Sequence, residues 1–576
     1  MQSIAAALTR AKSTNHVVHE ARCIAELVAL QIVGWSFTTL TLTALLFWAG
    51  IPIGPYHLWA ALLLFLLIGG RLVADWRAWL IATAWLAAFT LAGGVALEWL
   101  YDFTGDGQLY HLPGILALAQ GWNPFRTSRL VDWNPKFLEM MPWTDINYPI
   151  YVYVQHYAKG SWIVAAAFYR GTGLLEGAKV FTLLYALAVY LIAAPFLSRL
   201  GLSLLWSRML AVAAAANPVV LYQMSSFFVD GELASLCTLL VLSSLDYFLH
   251  QRKQALVLVA ACVALLVNVK FTGAVFAVAL IGGLGVLAWF RAQHAEVVRY
   301  IAIGATSFLL AAMLIGYQPY VTNFVQQGHP FYPALRSDNG RDVLWHSAPP
   351  EFMAMNPVEK EVRSLFGRSA GADEMPQWKI PFTISKEELY IFFNAEPRYG
   401  GFGPFFGSIL LVSLVLFVAA RKATQREIWN MGSLLAALIA ATALMNPAAW
   451  WARLSPQQWL VPVIMMSAIA LGAAGWPRRT AGIVALLLLG NSALVAALNL
   501  GRAVEKNLIF RTQIAELHAM SSRSPLEIAV HPSFQMVTEH RLTALSIPHR
   551  LVRKPSCMTP VLFSYPAAAQ AAACPS

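Results

Sequence analysis

Runs of predominantly apolar residues, most near 20 long, alternate with short polar junctions from residue 24 to residue 499. At helical rise such a run reaches across a hydrocarbon core of about 30 Å. The pattern predicts about 13 transmembrane helices, at 24–49, 57–73, 78–100, 177–198, 207–225, 232–249, 254–269, 272–290, 300–317, 403–420, 428–446, 457–474 and 480–499. Two long stretches interrupt the rhythm, 101–176 and 318–402. The first holds Pro- and Trp-rich turns and two apolar pieces, 111–120 and 161–169, too short to span and suited to helices lying in the interface. The second is rich in charge, Pro and Gly. After residue 500 comes a helix-like stretch, VEKNLIFRTQIAELHAM, then LEIAV, LTALSI and PVLFSY, which look like strands. The expected fold is an all-α polytopic membrane protein with a small C-terminal α/β segment. Its parts are an N-terminal tail and hairpin (1–77), a transmembrane module (78–499) and a C-terminal domain (500–576). No repeat of fixed period is present.

Composition agrees: 58% of residues are hydrophobic and 12% charged, against about 25% charged in a soluble domain. The net charge of +11 would suggest nucleic acid in a soluble chain. Here the basic residues gather in short loops: Arg10, Lys12 and Arg22; Arg71 and Arg77; Arg199 and Arg208; Arg252 and Lys253; Arg291 and Arg299; Arg421, Lys422 and Arg426; Arg478 and Arg479. If the spans alternate, all seven groups share one side, which the positive-inside rule makes the cytoplasm. That excludes a nucleic-acid partner as the meaning of the charge. It puts the N-terminus in the cytoplasm, and both long loops and the tail outside a bacterial-type inner membrane. The first 22 residues are polar and mixed, with no cleaved signal expected. Cys23, Cys237 and Cys262 lie in or beside apolar runs, whereas Cys557 and Cys574 fall in the polar tail, where an oxidising compartment would permit a disulfide.

Polar chemistry concentrates on the outer side. Asp102 and Asp106 open the first loop, Asp106 in the pattern D-x-x-x-Y-H with Tyr110 and His111. A loop Asp ordinarily caps a helix, but ionisable groups at a membrane edge are costly and tend to be functional. Asp230 and Glu232 share a short turn, either a simple Asp-Gly turn or a second acidic site. Lys270 lies between two apolar runs with almost no loop, so it either snorkels to the interface or needs an anion. Arg453 is an outer-side cation among tryptophans, and Arg is well shaped for phosphate. Carboxylates able to take a hydroxyl proton, beside cations able to hold a phosphate leaving group, suit transfer of a group off a lipid phosphate.

The succession GDGQLYHLPGILALAQGWNPF, HYAKGSWIVAAAFYRGTG, NPVVLYQMSSFFVDGE, VNVKFTG, YQPYVTNFVQQGHPFYPAL, EPRYGGFGPFFG and WWARLSPQQWLVP, over about residues 78 to 475, resembles the C-type membrane glycosyltransferase superfamily. That superfamily includes protein mannosyltransferases and lipid A aminoarabinose transferases. The resemblance implies transfer of a sugar from a polyprenyl-phosphate or diphosphate donor to a glycan, lipid or protein acceptor on the extracytoplasmic face. By position it makes Asp106 the base and Asp230 a second acidic site. Lys270 and Arg453 would hold the donor phosphate, and Tyr110, His111, Lys159, His329 and Arg398 become candidate substrate contacts. Some branches bind a divalent metal (Mg or Mn), for which Asp230 and Glu232 are the candidate ligands here. Two spans precede the one that should be first, and no Glu follows Asp106 as it does in some branches.

A flippase or transporter for a lipid-linked glycan is the main rival. It would show broken helices with polar residues at mid-membrane and an internal repeat, whereas the polar residues here gather at one face. A glycan polymerase or ligase would use the same donors and large outer loops, and Arg336, Arg398 and His329 in the second loop suit it equally. A structural scaffold would leave Lys270 and Arg453 without purpose. GGFGPFFG (400–407) lacks the preceding strand of a nucleotide-binding fingerprint.

Overall fold

The computed structural model describes residues 16–73, 75–135, 150–291, 294–334, 347–522 and most of 524–575. A helix stands in each of the thirteen apolar segments. Among the described residues eight helices are long and apolar enough to cross a membrane: Cys23–Trp48, Trp76–Glu98, Glu176–Arg199, Asp230–His250, Phe271–Trp289, His294–Ile315, Arg426–Leu444 and Trp476–Ser521. Three shorter apolar helices, His57–Arg71, Leu204–Ala215 and Lys253–Val269, pack with them. The segments at 403–420 and 457–474 contain helices of 14 and 13 residues, about 20 Å each at helical rise.

The segment expected at 207–225 divides at Asn217-Pro218, where the residue before proline is driven out of helical geometry. The Asn217 side chain caps the following short helix by accepting from Val219 N. The last span does not stop at residue 499. Helix Trp476–Ser521 runs on for 46 residues and carries the chain away from the apolar bundle.

The two short apolar pieces of the first loop form helices Leu112–Ala119 and Gly160–Thr172. The first is buried at all eight positions, so it is a core element and not a helix half-sunk in the interface. Apolar residues on every side leave it no polar face to turn to water. Its Gly114 lies against the Trp162 ring, where a Cβ would stand 2.6 Å from Cε3.

The C-terminal unit is a four-stranded sheet of order β2-β1-β4-β3, with β1 Leu526–Ala529, β2 His549–Leu551, β3 Val561–Ser564 and β4 Gln570–Pro575. Strands β1 and β2 are parallel and joined by helix Gln535–Ala544; the other pairings are antiparallel. LEIAV and PVLFSY supply strands as expected. LTALSI does not: its first three residues close the helix, a common ambiguity for a short apolar run. Cys574 is disulfide-bonded and Cys23, Cys237 and Cys262 are free; Cys557 lies outside the described residues.

Two ionic clusters mark opposite ends of helix Asp230–His250, a length of about 30 Å at 21 residues. At its C-terminal end Arg199 and Arg252 each bond both Glu26 and Asp246, and His250 bonds Asp246. Two of the seven basic groups therefore meet on one side, beside the N-terminal end of the first apolar helix. The other cluster begins with Asp230.

Candidate functional site

The segment that follows helix Trp76–Glu98 is folded by Asp102. Its carboxylate accepts from Thr104 N and Thr104 Oγ1, each at 2.7 Å, and from Phe227 N at 2.7 Å. Asp102 thus does the turn-forming work expected of a loop aspartate and also joins this segment to the loop before Asp230. Burial pushes its carboxyl pKa upward, partly offset by Lys179. Gly107 must be glycine, because a Cβ there would lie 2.0 Å from Asp102 Oδ2. The chain then makes one widened π-type turn, Gly107–His111, a local form frequent at functional sites.

That turn leaves Asp106 free of capping duty: its side chain makes no cap hydrogen bond. Instead Oδ2 accepts from Tyr110 OH at 2.9 Å and from Arg453 Nη1 at 2.9 Å. Arg453 Nη1 also lies 3.5 Å from Glu396 and 3.8 Å from Asp230. Asp230, fully buried, is ion-paired with Lys270 and accepts from Gln223 Nε2 at 3.2 Å. Glu396 in turn stands 3.7 Å from Arg398. Three carboxylates and three cations from five separate segments meet in one cluster.

The segment bearing Arg453 has little regular structure, so side-chain amides satisfy its backbone. Asn446 donates to Leu454 O at 2.7 Å and accepts from Ala448 N at 3.0 Å, while Asn217 donates to Pro456 O at 2.9 Å. Trp451, 1% exposed, lies between the two arginines: the Arg398 and Arg453 guanidinium carbons are 3.7 and 4.1 Å from its ring centre. Phe228 underlies Arg453 at 5.0 Å. Around this stack three buried N–H donors, Arg453 Nε, Arg398 Nη1 and Trp451 Nε1, have no hydrogen-bond partner among the described residues.

Burial alone would raise the Asp106 carboxyl, but the Arg453 charge, with bonds from Arg453 and Tyr110, holds it below the usual carboxylate range. Glu396, with the same neighbour at longer range, is pushed upward by burial. Burial drives the His111 imidazole down to about 3, so His111 is neutral at physiological pH. Its Nδ1 accepts from Trp162 Nε1 at 2.8 Å, which assigns the proton of the neutral ring to Nε2. Tyr110 stacks on Tyr153 at 5.5 Å and tilts against Tyr157 at 6.0 Å, continuing an aromatic wall from the cluster.

The structure thus unites Asp106, Tyr110, Asp230, Lys270, Arg398 and Arg453, and sets His111 beside Tyr110. It places three other candidates elsewhere. Lys159 is buried, donating to Gln155 O at 2.9 Å and Tyr157 O at 2.8 Å between the rings of Trp122 and Trp162; this is a backbone-satisfying role. His329 folds its own turn by accepting from Phe331 N at 3.1 Å. Glu232 accepts from Ser161 Oγ at 2.6 Å; two positions after Asp230 on the same helix, it projects from a different face. Arg336 lies outside the described residues.

The two candidate ligands for a divalent metal, Asp230 and Glu232, do not converge on one point in this arrangement. Among the described residues no three His, Cys, Asp or Glu side chains are grouped to hold one. Asp230 and Glu232 face different partners, and the point where Asp106, Asp230 and Glu396 converge is filled by Arg453 Nη1.

Glu396 is the member sequence reading passed over. It stands in EPRYGGFGPFFG, two residues before Arg398, and an acid in a polar loop gives no signal of its own. No protein-family model and no curated protein matches the chain.

Proposed function

We propose that the chain is a membrane glycosyltransferase that moves a sugar from a polyprenyl-phosphate donor to a glycan, lipid or protein acceptor on the extracytoplasmic face of a bacterial-type inner membrane. The observation that carries this reading is the stack of Arg398, Trp451 and Arg453 beside Asp106. It combines two cations and three acceptor-less donors with a carboxylate held ionised.

In this reading the donor phosphate takes the N–H groups of Arg398, Arg453 and Trp451. Glu396, at 30% side-chain exposure the most open of the three carboxylates, is the group it displaces. Lys270, which the sequence assigned to the phosphate, is committed to buried Asp230 and fixes that end of the cluster. The acceptor hydroxyl oxygen bonds to the sugar's anomeric carbon as the bond from that carbon to the phosphate oxygen breaks. The electron pair leaves with the polyprenyl phosphate, where the guanidinium groups stabilise it. The hydroxyl proton passes to Asp106. Tyr110, bonded to Asp106, orients the accepting carboxylate.

The topology belongs to the same reading: thirteen crossings, with the Glu26–Asp246 cluster cytoplasmic and the Asp106–Asp230 cluster outside. The meeting of Arg199 and Arg252 at one end of the bundle supports it.

The test is lipid-donor binding and transfer measured separately in nanodiscs. Asp106→Asn should lower transfer by about 10²–10⁴ with donor affinity little changed. Arg398→Met and Trp451→Phe should weaken donor binding. Mass spectrometry of copurified lipid should find a polyprenyl phosphate sugar. Full transfer by folded Asp106→Asn protein would remove the base assignment. Extension of a polymer in place of single-sugar transfer would favour a polymerase or ligase on the same donor.

A further inference from the structure

The C-terminal unit is joined to the site by a buried arginine. Arg541, on helix Gln535–Ala544 and 3% exposed, reaches back across more than 400 residues of sequence. Its Nη2 donates to Asp102 O at 3.0 Å and is ion-paired with Glu176, while Nη1 lies 3.4 Å from Gln108 Oε1. The guanidinium also stacks near Tyr101 at 5.1 Å and Phe103 at 5.8 Å. Glu176 closes the ring: it accepts from Asp102 N at 3.0 Å and from Lys179 Nζ at 2.7 Å. One side chain thus grips residues 101, 102, 103 and 108, on both sides of Asp106.

Packing repeats the connection independently. The core of the C-terminal unit, built from Phe510, Ile514, Leu517, Leu526, Ile528 and neighbours, takes in Phe103, with Tyr101 and Leu109 packed against it. Phe103 meets Phe510 edge-on at 5.3 Å. Asn507 on the long helix accepts from Tyr101 N at 2.7 Å. The segment that presents Asp106 is therefore part of the C-terminal core as well as of the transmembrane module.

We infer that Arg541 is a positioning residue, through which the C-terminal unit holds segment 101–108 and so sets the distance between Asp106 and Arg453. A guanidinium suits the task because its planar fork bonds a carbonyl and a carboxylate together, which an ammonium cannot do in the same geometry. Loss of the fork would free the segment while Asp102 still formed its local turn. Asp106 would then sample positions away from Arg453 with its chemistry unaltered. The inference does not require the reaction to be glycosyl transfer, only that Asp106 and Arg453 work together.

Hydrogen exchange of the full-length protein in nanodiscs tests this without a substrate. Arg541→Lys keeps the charge beside Glu176 but loses the fork, and Arg541→Met loses both. Amides 102–110 should exchange at least about tenfold faster in either variant, a loss of one charged hydrogen bond's worth of local protection. Strand β1 and the helix Trp76–Glu98 should exchange as in the parent. If Arg541→Met does not fold, Arg541→Lys alone decides. Parent-like exchange at 102–110 in the folded variants would overturn the inference. So would an increase spread equally over the C-terminal sheet, which is the signature of a structural role only. Should transfer be demonstrated, kcat should fall in Arg541→Lys with KM little changed; absence of any transfer activity would count against the proposed function and leave the exchange result standing.

Discussion

Arg453→Met is the perturbation whose consequences the geometry defines most sharply. It removes one cation from within 4 Å of three carboxylates, at 2.9, 3.5 and 3.8 Å. Side-chain exposure is 11% for Arg453, 23% for Asp106 and 1% for Asp230, so water does little to compensate. Removing one partner of a buried pair typically costs about 3–5 kcal/mol, most of it from the stranded charge. Asp106→Asn should cost less, about 1.5–3 kcal/mol for a charged hydrogen bond, because Arg453 keeps two other acids. The double variant should then fall short of the sum by up to about 3 kcal/mol.

The pH dependence sharpens this. In the parent, the Asp106 pKa is depressed, so its contribution is present above the unfolded carboxylate value of about 3.9 and is lost as pH falls through the lower folded value. Without Arg453, burial dominates at Asp106 and its carboxyl rises above its unfolded value, while that of Glu396, already raised by burial, rises further. The sign reverses, and the variant recovers stability as pH falls and those groups protonate. The deficit should therefore be larger at pH 7.5 than at pH 4.5. Unfolding in mixed micelles, followed by tryptophan fluorescence at both pH values, measures it. A deficit independent of pH, or single-variant costs that add to within about 0.5 kcal/mol, would refute the cluster as an electrostatic unit.

His111 is buried neutral, with its pKa lowered to about 3, so its contribution is complete above about pH 6.5 and declines as pH falls from there toward 3; the stability of His111→Gln should lack that decline, which runs at about 1.4 kcal/mol per pH unit for one proton, and equal acid sensitivity in both proteins would remove the assignment. Lys270→Met should be rescued in part by Asp230→Asn, since the neutral amide no longer leaves a buried charge without the cation that Lys270 supplied; thermal unfolding of the two singles and the double checks this. Topology reporters fused at Lys422 and at Gln570 should give opposite signals, and matching signals would break the thirteen-crossing arrangement.

Much of the cluster was legible because a membrane edge makes ionisable residues expensive. Lys270 could be read as needing an anion, and Arg453 as out of place among interfacial tryptophans; each is answered by a carboxylate from another segment, Asp230 and Asp106. The helices were legible for a related reason, since an apolar run without water must satisfy its own backbone. What a single sequence does not encode locally is which of two chemically equal residues takes which task. Asp102 and Asp106 look alike in YDFTGDGQLYH, yet one is spent on Thr104 and Phe227 and the other is left for Arg453. Lys159, a candidate substrate contact by resemblance, is instead satisfied by the carbonyls of Gln155 and Tyr157.

Glu396 and Arg541 escaped for the opposite reason. Each sits in a polar stretch where charge costs nothing, and only the tertiary fold buries them. Their burial is what gives them meaning. Glu396 stands between Arg398 and Arg453, and under the proposed function it is the group that the donor phosphate displaces. Arg541 bonds the backbone that carries Asp106, so the C-terminal unit cannot shift without moving the carboxylate. A chain that needed its sheet only as an appendage would have no reason to send a buried arginine from it to the segment that carries Asp102, nor to complete that unit's core with Phe103. The sheet and the loop are one mechanical element, and the position of Asp106 relative to Arg453 is what that element fixes.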